Sequence, residues 1–372
     1  MTAAETSALK ILGAPQRYIQ GPGAIAELGT IAAGLGRRPF VVADATVTAT
    51  VGPDIRTGLE AAGLAPTFGA FSGEITRPEI DRMTAACRDA GADLVIGAGG
   101  GKAIDTAKGV KLALGLPMIV LPTIASNDSP TSRVIVIYDE HHRITDIPRL
   151  PANPEIVLVD TAIIARAPLR FLRAGIGDAL SKKFEVEQNV RGGGSNFYNG
   201  RATATAVHLA GLCYDMLRRH AEGACAAVER QEVTADLEHT VEAAILLSGL
   251  GFESGGLAAA HALTRGLTAV PETSHALHGE MVAFGLLVQL VLEDRDQAFL
   301  DDLLGFYKRV GLSSSLAALG LVEPTSAQIA LMAAKSWDEG PAYVRTMLER
   351  GPMDGARFAA AIARADMLGR AA

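Results

Sequence analysis

The stretch Gly97-Ala98-Gly99-Gly100-Gly101-Lys102-Ala103-Ile104-Asp105 constrains the fold of this chain more than any other. It follows the apolar run Leu94-Val95-Ile96 and leads into a segment with helical patterning. A strand, a glycine turn and a helix start aim successive backbone N–H groups at one point, where a phosphate can sit. Gly99, Gly100 and Gly101 remove side chains there, and Lys102 offers a positive charge. The pattern is neither G-x-G-x-x-G nor a P-loop, because the latter needs Ser or Thr where Ala103 stands. On its own the turn reads equally well as a phosphate site and as a tight strand-to-helix connection.

The first half of the chain repeats this alternation. Apolar runs at Phe40–Ala43, Leu94–Ile96, Met118–Leu121 and Ile156–Val159 are separated by helical patterns such as Asp54–Ala62 and Pro78–Ala90. This predicts βαβ units around a mainly parallel sheet. Val134–Tyr138 reads as another strand, with a polar turn over Asp139–Arg143, the tip of a hairpin. Beyond Asp160 the strand-like runs stop, and Ala/Leu/Glu-rich helical patterns continue to the end, broken by the loop Arg191–Asn196. The expectation is an α/β domain over 1–160 and an all-helical domain over 161–372, and 372 residues suffice for two cores.

Composition removes several classes of function. The net charge is −7 and no basic tract stands out, so nucleic acid is not an expected partner. The most apolar segment, Met281–Leu292, is interrupted by Gln289 and falls short of the roughly 20 residues that span a bilayer, so it reads as a buried helix. The N-terminus lacks a charged segment followed by an apolar one, so no signal peptide is expected. Cys87, Cys213 and Cys225 are too widely spaced for a zinc motif or a disulfide framework, which points to buried thiols in a reducing, cytoplasmic compartment.

Candidate polar residues each carry two readings. Asp44 ends the first long apolar run, where a carboxylate can accept hydrogen bonds from a ribose or cap a helix. Pro122–Asp128 follows the next strand, at the end where open α/β sheets bind ligands, and reads equally as an ordinary loop. His141 and His142 read as a solvated turn, and His208, His220 and His239 as surface residues. His261 lies in a run of tiny residues, Ser254–Ala262, where an imidazole needs a polar partner, either a metal or a carbonyl. His278 opens the buried helix, and Asp178 in Gly175-Ile176-Gly177-Asp178 reads first as a helix N-cap. No local spacing joins Asp178, His261 and His278.

Five segments taken together resemble the glycerol dehydrogenase branch of the iron-containing alcohol dehydrogenase superfamily, whose fold is that of dehydroquinate synthase. They are Gly99-Gly100-Gly101-Lys102 with Asp105–Lys108, Pro122–Ser126, Gly175–Leu180, Gly251–His261, and His278-Gly279-Glu280 with Val282–Gly285. The resemblance implies that Asp178, His261 and His278 bind one catalytic divalent metal between the two domains. It also implies that Gly99, Gly100, Gly101, Lys102, Asp105, Thr123, Ser126, Ser132, Val134 and Tyr138 line an NAD site, with Asp44 near the adenosine and Asp128 against substrate. A histidine four residues after the aspartate marks iron-using relatives, and Lys182 stands there, so zinc is the expected ion. The implied reaction is hydride transfer between NAD and a small polyol such as glycerol, in a homo-oligomer without membrane or nucleic-acid partners. Two positions depart from the glycerol enzymes: Thr264-Arg265 replaces a His-Asn pair, and Arg133 replaces a small residue. A guanidinium can grip a carboxylate, so a 2-hydroxy or 2-oxo acid is the alternative substrate. A non-redox cyclising lyase resembling dehydroquinate synthase is the alternative of another class, and it would give no net NADH.

Overall fold

A computed structural model describes residues 8–140 and 143–372. The expected parallel sheet is present with six strands: β1 (Arg17–Gly21), β2 (Pro39–Ala43), β3 (Thr67–Ala70), β4 (Leu94–Gly99), β5 (Met118–Pro122) and β8 (Ile156–Asp160). Their order is β1-β8-β5-β4-β2-β3, and every pairing is parallel. The central strands β2, β4, β5 and β8 are buried on both faces, which is why they are continuous apolar runs. The edge strands β1 and β3 are partly exposed and need no such run, so their sequences, RYIQG and TFGA, carry little signal.

Strand pairing over 134–138 is shorter than its β-branched sequence predicts. Only Ile137–Tyr138 (β6) pairs with Ile144–Asp146 (β7), antiparallel, while Val134 makes an isolated bridge to Arg149. The backbone N–H of Val136 is taken instead by Asp105 Oδ2 at 3.0 Å. Asp139 and Arg143 close the hairpin with mutual 2.9 Å bonds, and His141 and His142 lie outside the described residues.

The chain divides into two compact units, and the division is not the single cut near 160 that the pattern suggests. The sheet unit holds Ala14–Phe171 and Ala226–Leu246; the helical unit holds Leu172–Cys225 and Leu247–Ala372, with residues 8–13. The 226–246 segment is helical by pattern yet is tied to the sheet unit through polar anchors. Gln20 Nε2 donates to Glu238 Oε2 at 2.6 Å, Thr161 Oγ1 to Glu238 Oε1 at 2.5 Å, and Thr131 Oγ1 to the Ile245 carbonyl at 3.0 Å. Residues 8–12 join the helical unit through Asn196 Nδ2, which donates to the Ile11 carbonyl at 2.7 Å.

Within the helical unit, the apolar helix His278–Leu292 is buried along nearly its whole length, as its composition requires. The polar residue within its apolar stretch is used: Gln289 Oε1 accepts from the Ala260 N–H at 3.1 Å. Among the described residues no single helix is long and apolar enough to cross a membrane.

Candidate metal centre and nucleotide-binding turn

In the sheet unit, β3 lies on one side of β2 and β4 on the other, so the winding reverses between β2 and β4. Open α/β sheets bind ligands at the carboxyl ends of strands flanking such a reversal. Register places the candidates there. Val42 pairs with Gly97 and Gly99 with Pro122, so Asp44, Gly99–Gly101 and Thr123 all emerge at that end. Gly99 has φ +145°, which L side chains rarely adopt, and this turns the chain into the helix Gly101–Leu114. Gly100 provides no side-chain cap, so the first-turn N–H groups of a fourteen-residue helix are open to a ligand.

The surrounding residues divide into those that face this turn and those that hold its frame. Asp44 is a helix N-cap, its Oδ1 accepting from the Val47 N–H at 2.8 Å. Lys102 pairs with Glu74 at 2.7 Å, so its charge is shared with a carboxylate rather than left for a phosphate. Asp105 is buried, with Oδ1 bonded to Lys108 Nζ (2.9 Å) and Ser129 Oγ (2.5 Å) and Oδ2 to Val136 N–H. Lys108 Nζ also donates to Ser132 Oγ (3.4 Å) and the Val134 carbonyl (2.9 Å), so Asp105, Ser132 and Val134 share one buried network. Burial, then the charges of Asp105 and Glu74, pushes the Tyr138 phenol well up. Thr123 N–H donates to the Gly99 carbonyl at 3.1 Å, and Thr123, Ser126 and Asp128 are all buried. Arg133 Nη1 donates to the Leu150 carbonyl at 3.2 Å, which stitches that segment together.

In the helical unit, Asp178, His261 and His278 do converge: one ligand atom from each lies within 4.8 Å of the others. Asp178 is not an N-cap; it sits near the end of the helix Leu169–Leu180. Small residues permit the convergence. A Cβ on Gly279 would lie 1.8 Å from the Ala174 carbonyl oxygen, and one on Gly177 2.6 Å from that of Gly279. The backbones beside Asp178 and His278 are therefore in direct contact. The His261 and His278 rings are 5.3 Å apart, centroid to centroid.

Asp178 Oδ2 is buried and has no hydrogen-bond partner among the described residues, a position a cation would satisfy. The donors fit a divalent ion of intermediate softness: one carboxylate and two imidazoles. Two further residues complete the cluster: Glu185, which sequence reading misses, and Lys182, which it marks only as a non-ligand. Glu185 Oε2 accepts from His261 Nδ1 at 2.6 Å, which directs Nε2 toward Asp178, and Glu185 Oε1 accepts from the N–H groups of Ala258 (2.9 Å) and His261 (3.0 Å). Lys182 Nζ donates to Asp178 Oδ1 and lies 3.2 Å from His261 Nε2. Asp178, Lys182 and Glu185 follow an i, i+4, i+7 stripe, which is the signal that could have located Glu185. Burial works against ionisation of Asp178, but Lys182 and His261 outweigh it and hold the carboxyl far below its usual range. Burial likewise opposes charging of His261, yet the Glu185 charge raises it to about 9, while burial takes His278 down to about 4.

A doubly wound sheet with an open helix start at its winding reversal, and a helical unit with an Asp-His-His set of which Asp178 and His261 are buried, are the parts that an alcohol dehydrogenase using a nucleotide and a metal requires. The chain belongs to the iron-containing alcohol dehydrogenase family, whose description matches residues 15–161. It is 43% identical over 329 residues to glycolaldehyde reductase of Halobacterium salinarum, covering 88% of this chain and 90% of that protein. Identity to a glycerol dehydrogenase of Pseudomonas putida is 45% over 314 residues, 84% of this chain and 86% of that one. The crystal structure of a probable glycerol dehydrogenase from Sinorhizobium meliloti matches with a TM-score of 0.91 at 38% identity, covering 98% of this chain and all of that one. The chain is thus an oxidoreductase, and the lyase alternative falls away.

Proposed function

We propose that the protein oxidises a small alcohol bearing a hydroxyl on the adjacent carbon, glycerol being the first candidate, with NAD as acceptor and zinc held by Asp178, His261 and His278. The convergence of those three ligand atoms within 4.8 Å carries the reading. Glycerol and glycolaldehyde, named for the two relatives, both carry oxygens on neighbouring carbons, which supports this substrate class. When bound, the ion acidifies a substrate hydroxyl and the nicotinamide takes up a hydride.

The chain's own residues prepare that chemistry. Glu185 fixes the His261 tautomer and orientation, and Asp178 contributes the oxygen donor. Gly99, Gly100 and Gly101 let a pyrophosphate approach the open first turn, with Thr123 and Ser126 beside it. Asp44 uses one oxygen as a cap, and the other suits the free hydroxyls of an NAD ribose. Lys102, Asp105, Ser132, Val134 and Tyr138 frame this site, and Asp128 is assigned to substrate. Three buried thiols, none in a disulfide, support a reducing cytoplasmic setting.

One observation favours a second reading. Arg265 follows His261 by one helical turn, is half-buried, and makes no side-chain hydrogen bond or ion pair among the described residues. A guanidinium so placed would suit the carboxylate of a 2-hydroxy acid. An NADH-absorbance screen of glycerol, other vicinal diols and 2-hydroxy acids, with and without added zinc, decides. Zinc-dependent NADH formation with diols is expected; turnover confined to hydroxy acids would select the second reading, and full activity after chelation would reject the metal assignment.

A further inference from the structure

Lys182 is fully buried, and its ammonium lies inside the ligand set rather than beside it. Nζ contacts Asp178 Oδ1, lies 3.2 Å from the Asp178 carbonyl oxygen, and lies 3.2 Å from His261 Nε2. Oδ1 and Nε2 lie 3.3 Å apart, so Nζ bridges two of the three candidate ligand residues. The buried carboxylate of Glu185 is itself occupied by His261 Nδ1, Ser181 Oγ and two backbone N–H groups. A Lys–Asp pair made only for stability would turn away from a second ligand and would satisfy the carboxylate. This one abuts the imidazole and leaves Asp178 Oδ2 without a donor. The chain thus places a positive charge of its own against two of the residues that would hold a divalent ion. An ammonium and a divalent ion a few ångströms apart repel strongly in a buried setting.

We propose that Lys182 is a resident cation that competes with the catalytic metal: the ion enters by displacing the ammonium from Asp178 and His261, and Lys182 keeps the ligand set assembled when no ion is bound. The inference rests on the ligand assignment made above. It predicts an exchangeable metal site and a folded, stable apoprotein, with displacement of one lysine as the coupled event.

The test uses the full chain, stripped with a chelator and titrated with zinc against a chromophoric competitor, as wild type, Lys182→Met and Lys182→Arg. Lys182→Met removes the charge at similar volume and should bind zinc at least tenfold more tightly. Its chelated form should melt below chelated wild type, and its zinc-loaded form at or above loaded wild type. Lys182→Arg keeps the charge and should retain the weaker affinity. Equal or weaker zinc binding by a folded Lys182→Met would overturn the displacement while leaving the ligand set intact. Failure of wild type and Lys182→Met alike to bind zinc would overturn both. Should Lys182→Met not fold without zinc, wild type labelled with ¹⁵N at lysine gives the answer. The Nζ signal that is lost in Lys182→Arg must shift with one equivalent of zinc, and a signal that does not move refutes the proposal.

Discussion

Gly279→Ala probes the contact that brings Asp178 and His278 together. The added methyl would stand 1.8 Å from the Ala174 carbonyl oxygen and 2.5 Å from its carbon, both backbone atoms that cannot rotate away. Reaching even 3.0 Å, itself a tight contact, requires the two helices to part by about 1.2 Å. Zinc–ligand distances tolerate displacements of about 0.2 Å, so His278 would leave the coordination range of Asp178 unless side chains compensate. Overpacking of this kind costs about 1–3 kcal/mol of folding stability. Zinc affinity should fall at least ~100-fold, about 2.7 kcal/mol. Gly211→Ala is the control: a methyl there meets nothing within 4 Å on the helix Ala204–Glu229, so it should stabilise by about 0.4–1 kcal/mol and leave zinc binding unchanged. Thermal melts and competitive zinc titration of both variants give the comparison. A Gly279→Ala protein that melts and binds zinc as wild type does would refute the helix-contact reasoning.

Three further outcomes are expected. Asp105→Asn leaves the buried Lys108 ammonium without its carboxylate and should cost about 3–5 kcal/mol, measured by urea denaturation; a loss under 1 kcal/mol would mean that the network is carried by the carbonyls of Ser129 and Val134. Asp44→Ser can still cap its helix, so the fold should survive while the preference for NAD over its 2′-phosphorylated form narrows; an unchanged ratio of kcat/KM for the two cofactors would remove Asp44 from the ribose. Burial opposes ionisation of Asp93, but the N–H groups of Arg38 and Arg37, at 2.7 and 2.8 Å, outweigh it and hold the pKa below its ordinary value. The stabilisation is therefore complete above the unfolded pKa near 4 and is lost as pH falls toward the folded value. Asp93→Asn should flatten the acid limb of the stability curve, and an identical slope in both proteins between about pH 2 and 5 would contradict this.

Much of this fold was legible because burial on both faces writes itself into sequence. The runs at Phe40, Leu94, Met118 and Ile156 are strands for that reason, whereas β1 and β3 lie at edges and carry no such mark. Unit membership was not legible, because helical periodicity reports the element and not its neighbour; only the bonds from Gln20 and Thr161 reveal where Glu238 belongs. At the candidate metal centre, Asp178, His261 and His278 are up to a hundred residues apart and were joined by resemblance, not spacing. Local reading made Asp178 an N-cap because small residues around an acid look alike at a helix start and at a helix crossing. Glu185 carries no mark in the sequence because a lone acid on a helix is ordinarily solvated, and Lys182 reads there only as a residue that cannot ligate; packing alone shows that both are buried here.

The chain changes unit at four junctions, after Gly13, Phe171, Cys225 and Leu246. A cassette ending near residue 171 would omit Glu238, the acceptor on which Gln20 and Thr161 both rely, and so would not be the sheet unit. Recombination that exchanges one contiguous stretch of gene between relatives therefore cannot transplant either unit whole. Chimaeras joined at a single crossover should inherit mismatched anchors between Gln20, Thr161 and Glu238.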